Sequence, residues 1–211
     1  MDMSGPSAKI LGIVIATRWE AAEILRRFGF RKIGKDLYRT RVNGRDVLLA
    51  LSGVGRARAA QAAERLYRAG ARELLSMGFC GALAPELKIG DAVQDRIATV
   101  DTPVRTPQER RALTQRSGAV AVDMETRAVV ELGTLRGIPI GVLRVVSDPA
   151  GEDLTPLLGR DAGFSKWRVA WRLMRPAAWP LAARLRRNSA IAKTRLAEVL
   201  AGRLQAEPIV R

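Results

Sequence analysis

Histidine is absent from this 211-residue chain, and cysteine occurs once, as Cys80. The first absence excludes a Ser-His-Asp triad, a Cys-His pair and a His-ligated zinc. The second excludes intrachain disulfides and thiolate metal clusters, so no metal ligand set is expected, and it fits a reducing, cytoplasmic setting. Aromatic residues are scarce at 5%, with only Phe28, Phe30, Tyr38, Tyr67 and Phe79 as Phe or Tyr outside the C-terminal region. That leaves no stacking platform for nucleic-acid bases there. No apolar run approaches the roughly 20 residues that cross a bilayer, and no charged leader with an apolar core and small-residue cleavage site opens the sequence. Acids are outnumbered, 21 Asp+Glu against 36 Lys+Arg. Chemistry, if there is any, falls to carboxylates, hydroxyls, arginine and backbone groups.

What is present is a globular composition, 47% apolar and 27% charged, enough for one sizeable domain. The net charge of +15 is unevenly spread: residues 162–211 carry +9, and residues 1–161 carry +6. Three of the four tryptophans, Trp167, Trp171 and Trp179, also lie after residue 161. We therefore expect an α/β domain over 1–161, with a basic, Trp-containing helical extension over 162–211 packed on it. Residues 10–16 and 74–79 are nearly continuous apolar runs, the pattern of strands buried on both faces. Residues 36–42 and 47–51 flank Asn43-Gly44, a hairpin dipeptide. Further strands are expected at 90–93, 97–100, 119–122 and 138–146, and helices at 19–28, 57–69, 107–116 and 124–136. Strands alternating with helices predict an α/β three-layer sandwich around a central mixed sheet.

Four short segments end predicted strands: Thr17-Arg18, Ser52-Gly53-Val54-Gly55, Gly78-Phe79-Cys80-Gly81 and Ser147-Asp148. Ligands of open α/β sheets bind beyond the carboxyl ends of the strands, so these segments are expected to share one crevice. Ser52–Gly55 runs into a helix N-terminus, which suits an anion but equally describes a tight strand-to-helix turn. Asp148, fixed between an apolar strand and Pro149, reads either as a general acid or as a turn residue. Asp123-Met124-Glu125 reads either as a site or as an N-cap with a first-turn acid.

Four strings occur in order: Leu51-Ser-Gly-Val-Gly-Arg56, the run from Met77 through Gly78, Phe79, Cys80 and Gly81 to Asp91, Ala121-Val-Asp-Met-Glu-Thr126, and Leu143-Arg-Val-Val-Ser-Asp148. Over about residues 10–150 the chain resembles the nucleoside phosphorylase and nucleosidase superfamily, particularly the methylthioadenosine/S-adenosylhomocysteine nucleosidases. Thr99-Val-Asp-Thr-Pro-Val104 and the basic C-terminal region resemble the hopanoid-associated phosphorylases, which act on adenosylhopane. The resemblance implies cleavage of an N-glycosidic bond of an adenosyl compound, with adenine released and no cofactor beyond inorganic phosphate as a co-substrate. It implies that Met124 packs on the ribose, Glu125 accepts its hydroxyls, and Asp148 protonates purine N7. Asp123, Ser147, Phe79, Cys80, Gly81, Pro103 and Val104 complete the implied substrate pocket. Ser52, Gly53, Gly55 and Arg18 would face phosphate or water. A homo-oligomer is implied too.

The chain departs from that family in three places. Phe79 stands where nucleosidases carry a small hydroxyl residue, Glu20 alone represents their acidic patch after the first strand, and the stretch from Asp91 to Asp101 replaces several tens of residues. The alternative to an enzyme is a degenerate member acting as a membrane-surface or nucleic-acid binding protein. Trp167, Trp171 and Trp179 among arginines fit an interfacial helix on anionic lipid, and so a peripheral location on the inner membrane face, better than they fit nucleic acid. Plain packing on the sheet is the competing reading of the same residues.

Overall fold

The computed structural model describes residues 9–159 and 176–205. The nine strands are β1 (Leu11–Ile15), β2 (Arg31–Gly34), β3 (Leu37–Val42), β4 (Arg45–Leu51), β5 (Glu73–Ala82), β6 (Ala92–Val93), β7 (Ile97–Thr99), β8 (Ala121–Asp123) and β9 (Ile140–Asp148), and they form one mixed sheet in the order β2-β3-β4-β1-β5-β8-β7, with β9 on β5 and β6 on β9. The strand β1 (Leu11–Ile15) is buried at every position. It lies parallel to β4 (Arg45–Leu51) on one side and to β5 (Glu73–Ala82) on the other. The long β5 also pairs parallel with β9 (Ile140–Asp148) and, at Gly81 and Ala82, antiparallel with β8 (Ala121–Asp123). The strand β7 (Ile97–Thr99) runs parallel to β8, and β6 (Ala92–Val93) antiparallel to β9.

Side chains alternate across this sheet into two apolar layers. Leu11, Ile13 and Ile15 face Ala21 and Ile24 of α1 (Arg18–Arg27) and Ala192, Leu196 and Leu200 of the C-terminal helix. Val14, Leu48 and Ala50 face an alanine-rich α2 (Arg56–Arg68) and Ala128 and Val129 of α4 (Thr126–Arg136). The three-layer α/β sandwich expected from the sequence is present. In chain order α3 (Pro107–Ser117) comes between α2 and α4, and like α1 it opens on a full capping box: Thr17 with Glu20 for α1, Thr106 with Glu109 for α3. The short α5 (Thr155–Leu158) follows β9, and α6 (Trp179–Gln205) follows a 3-10 turn at Pro176–Ala178. Among the described residues no helix is long and apolar enough to cross a membrane.

Several boundaries move. β2 (Arg31–Gly34), not expected from the pattern, is an exposed edge strand that pairs with β3 (Leu37–Val42). The hairpin from β3 to β4 turns at Asn43 and Gly44, both with positive φ (49° and 77°), the backbone such a tight connection demands. The segment Gly78–Gly81 is not a loop but the second half of β5, and Ser147 and Asp148 are the last residues of β9. Helix α4 begins at Thr126, which leaves Met124 and Glu125 outside it. The expected domain boundary at 161/162, with Trp167 and Trp171, lies outside the described residues.

Candidate functional site

The carboxyl ends of β1, β4, β5 and β9 open onto two adjoining depressions that share Ala16, Thr17, Val54 and Met124. The smaller, about 220 Å³, is walled by Phe79, Cys80 and Gly81 of β5, Ser147 and Asp148 of β9, Asp123, Met124 and Glu125 after β8, and Pro103 and Val104 before α3. The larger, about 1370 Å³, is lined by Arg18, Ser52, Gly53, Gly55 and Met124. Every candidate residue named from the sequence therefore lines one depression or the other, those expected at the substrate lining the smaller and those expected to face phosphate or water lining the larger.

At one end of the small cavity, the Asp148 carboxyl group is held at both oxygens. Arg110 of α3, 1% exposed, pairs with Oδ2 through Nη2 and donates from Nη1 to the Ala82 carbonyl at 2.9 Å. Ser147 Oγ donates to Asp148 Oδ1 at 2.9 Å and lies 3.3 Å from the Cys80 carbonyl oxygen. Gly81 leaves room for this pair: a Cβ there would stand 2.8 Å from both Arg110 Nη1 and Asp148 Oδ2. At the other end sits Glu125, buried, with Oε1 accepting the Gly55 backbone N–H at 2.8 Å. Burial pushes its carboxyl group up to about 7, against the pull of Arg144 and the Gly55 hydrogen bond, with Asp123 and Glu20 adding to the rise.

Beneath the cavity floor lies a second buried arginine. Arg144, 1% exposed in the middle of β9, pairs with Asp123 Oδ2 at 2.6 Å and donates to Thr126 Oγ1 (3.0 Å) and Ser76 Oγ (2.9 Å). Asp123 also accepts from the Thr126 amide (2.9 Å) and hydroxyl (2.5 Å) and from Thr99 Oγ1 (2.8 Å). Its oxygens are thus committed to the protein. Asp123 ties down the start of α4 and positions its neighbours, where the sequence suggested contact with substrate. Glu20, the one acid expected after the first strand, also reaches the cavity. One oxygen accepts the Phe79 amide at 3.1 Å, and the other closes the cap with Thr17.

Cys80 is 3% exposed and packs with Ala82, Val93, Ala121 and Val146. Desolvation pushes its thiol up to about 12, so it is no nucleophile and its part in the site is a carbonyl oxygen. The Ser52 hydroxyl is spent on the Gly53 carbonyl at 2.7 Å, and the amides of Ser52, Gly53 and Gly55 are donated to the Ile15 carbonyl, the Ala16 carbonyl and Glu125 Oε1. The helix α2 that follows has no acid in its first turn and no side-chain cap at Gly55, whose φ is 105°. The two arginines that organise the site carried unequal signals in the sequence. A charge inside the apolar run of β9 marked Arg144, whereas Arg110 stands in a helix with Arg111 and Arg116 and nothing sets it apart.

Solved structures share this fold. Futalosine hydrolase of Helicobacter pylori superposes with a TM-score of 0.70 at 19% identity, over 92% of this chain and 98% of its own. The 5'-methylthioadenosine/S-adenosylhomocysteine nucleosidase of the same organism gives 0.71 at 18%, over 93% and 100%. The nucleosidase of the same name from Treponema pallidum is 30% identical over 69 residues, a match spanning 33% of this chain and only 26% of that protein's length. The family model of the phosphorylase superfamily matches residues 10–94 and 95–166, two blocks that meet inside the short stretch between Asp91 and Asp101. Spanning most of the sheet and both cavity walls, that match establishes that the chain belongs to the phosphorylase superfamily.

Proposed function

We propose that the protein cleaves the N-glycosidic bond of a purine nucleoside, with Asp148 at the base and Glu125 at the ribose. The observation that carries this reading is the pairing of two differently held carboxylates across one small cavity, Asp148 bound by Arg110 and Ser147, Glu125 desolvated. Breaking an N-glycosidic bond builds positive charge on the ribosyl ring and negative charge on the leaving base, and two separate acids answer those two charges. Asp148 delivers a proton to N7 of the departing base, a contribution of roughly 10²–10⁴-fold for general acid catalysis. Glu125 accepts the ribose hydroxyls, and Met124 packs against the sugar. The nucleophile enters from the larger depression, where Arg18 and the N-terminus of α2 favour an anion or an oriented water. Every role is taken by this chain's own groups.

The substrate we favour is an adenosyl compound that releases adenine. The names of the nucleosidases similar to this chain support it. A lipid-linked compound such as adenosylhopane is the finer reading, supported by the resemblance of residues 99–104 and by the basic C-terminal helix. Incubation with 5'-deoxyadenosyl compounds, with and without phosphate, followed by chromatography of the released base, tests the proposal. Adenine release in both conditions means hydrolysis, and release only with phosphate means phosphorolysis. No release under either condition overturns the enzyme reading in favour of a binding protein.

A further inference from the structure

We propose that Arg184 of α6 is a positioning residue for the small cavity, holding the cavity's apolar wall at Leu154 through its ion pair with the buried Glu152. This inference rests on the nucleosidase reading above, in which that cavity takes the nucleoside. Asp148 ends β9, and six residues later Leu154 returns to the cavity lining. Leu154 donates its amide to the Arg105 carbonyl at 2.8 Å, which ties it to the segment that brings Val100, Pro103 and Val104 to the same lining. Across residues 149–154 one side chain alone is buried, and it is charged: Glu152, 7% exposed. Arg184 meets that carboxylate with both arms of its guanidinium fork, Nε donating to Oε2 at 3.0 Å and Nη2 to Oε1 at 2.6 Å. Two parallel charged hydrogen bonds fix direction as well as distance. Beside the pair, Leu157 of α5 packs with Ala178 and with Leu181 of α6 in a small apolar cluster of their own. The segment after Asp148 thus takes its position from α6, a helix that contributes no residue to either depression.

The chemistry of the wall sets what this positioning does. The side chains of Val100, Pro103, Val104 and Leu154 bring neither charge nor hydrogen-bond donor to the reacting atoms. Apolar contact is as strong before bond cleavage as during it, so the wall binds substrate and transition state alike. Loosening it raises KM and spares kcat, whereas loss of a group that answers developing charge lowers kcat. Removing Arg184 would do the loosening. A buried carboxylate without its cation gains by turning out to water, and Glu152 would carry Leu154 with it.

The test measures kcat and KM of wild type, Arg184→Gln, Arg184→Lys and Glu152→Gln on one soluble adenosyl nucleoside. Hydrogen exchange of the Leu154 amide, read by mass spectrometry on the free protein, is the second readout. We expect Arg184→Gln to raise KM about tenfold with kcat within about twofold of wild type, and to speed Leu154 exchange about tenfold. Arg184→Lys keeps the charge and should recover most of both. Glu152→Gln removes the charge that needs a partner, so it should raise KM less than Arg184→Gln does, and adding it to Arg184→Gln should lower KM again. A merely structural pair would reduce the active fraction, a fall in kcat at unchanged KM. That result, or Leu154 exchange as slow in Arg184→Gln as in wild type, overturns the proposal. Wild type that cleaves no nucleoside, with Leu154 still freed in Arg184→Gln, would sink the nucleosidase reading and leave the positioning role standing, since exchange needs no substrate.

Discussion

Glu125 is held in a place that disfavours its charge, and that gives the fold a pH dependence of known sign. Its folded value of about 7 lies above the ordinary 4.5, so between those two the native state keeps a proton that the unfolded chain releases. Stability from this group is complete below pH 4.5 and is lost as pH rises toward 7, by about 3 kcal/mol in all. Glu125→Gln removes that penalty while keeping an acceptor for the Gly55 amide. Melting should therefore rise by roughly 6–12 °C above pH 7 and change little near pH 4.5. The same variant should lower kcat and raise KM, because it accepts ribose hydroxyls less well as charge develops. A variant no more stable at high pH would show that the site does not strain Glu125. Asp148→Asn is expected to abolish turnover, since an amide cannot deliver the proton, and to lower the melting temperature because the buried Arg110 loses its counter-charge; wild-type kcat would remove Asp148 from that role. At this scale the strings around Asp123–Glu125 and Ser147-Asp148 were legible in the sequence because each ends a strand. Arg110 was not: its meaning comes from a contact 38 residues away.

The elements hold these residues through close approaches that a pattern of apolar letters does not show. Gly12 in β1 lies against the end of α2 and the turn beyond, where a Cβ would stand 2.9 Å from Ala71 Cβ and 3.2 Å from Leu66 Cβ. Neither neighbour is the far end of a flexible chain, so Gly12→Ala must shift the helix or the strand. We expect a loss of about 1–3 kcal/mol, read by denaturant midpoint, with activity at low temperature reduced less than stability. An unchanged midpoint would show that β1 and α2 have slack. The buried parallel strands and the helices around them were readable from their apolar runs and caps. The exposed β2 was not, since Arg31, Lys32, Ile33 and Gly34 carry no alternation and its pairing with β3 alone makes it a strand. The ends of β5 and β9 were set too short for a related reason. Gly81, one residue from the end of β5, and Asp148, the last of β9, are small or polar and stay in the sheet through backbone pairing with each other.

Across the whole molecule, charge is the dominant surface property, and α6 concentrates it. One side of this helix packs Ala192, Leu196 and Leu200 into the core, while Arg186, Arg187 and Arg195 are exposed and Trp179 is 59% exposed. Arg184 is tied to Glu152 at 2.6 Å, just beyond β9, and Lys193 lies 3.5 Å over the ring of Trp19. The packed side is ordinary core, and the basic side is what an anionic surface would meet. We expect the protein to sediment with vesicles containing anionic lipid at low salt and to be released at high salt, at roughly 1 kcal/mol per basic residue near the surface. Arg186→Glu with Arg187→Glu should abolish sedimentation while leaving turnover of a soluble nucleoside intact. Binding that survives both the salt and the double variant would place the contact elsewhere. The solitary Cys80, finally, turns the molecule into its own clock. Its sulfur lies behind the cavity wall with almost no thiolate at neutral pH, so alkylating reagents have nothing to attack in the closed protein. Each labelling event then counts one opening of the wall between β5 and β9. A thiol reagent and a mass spectrometer would time how often this fold breathes, with no probe engineered into it.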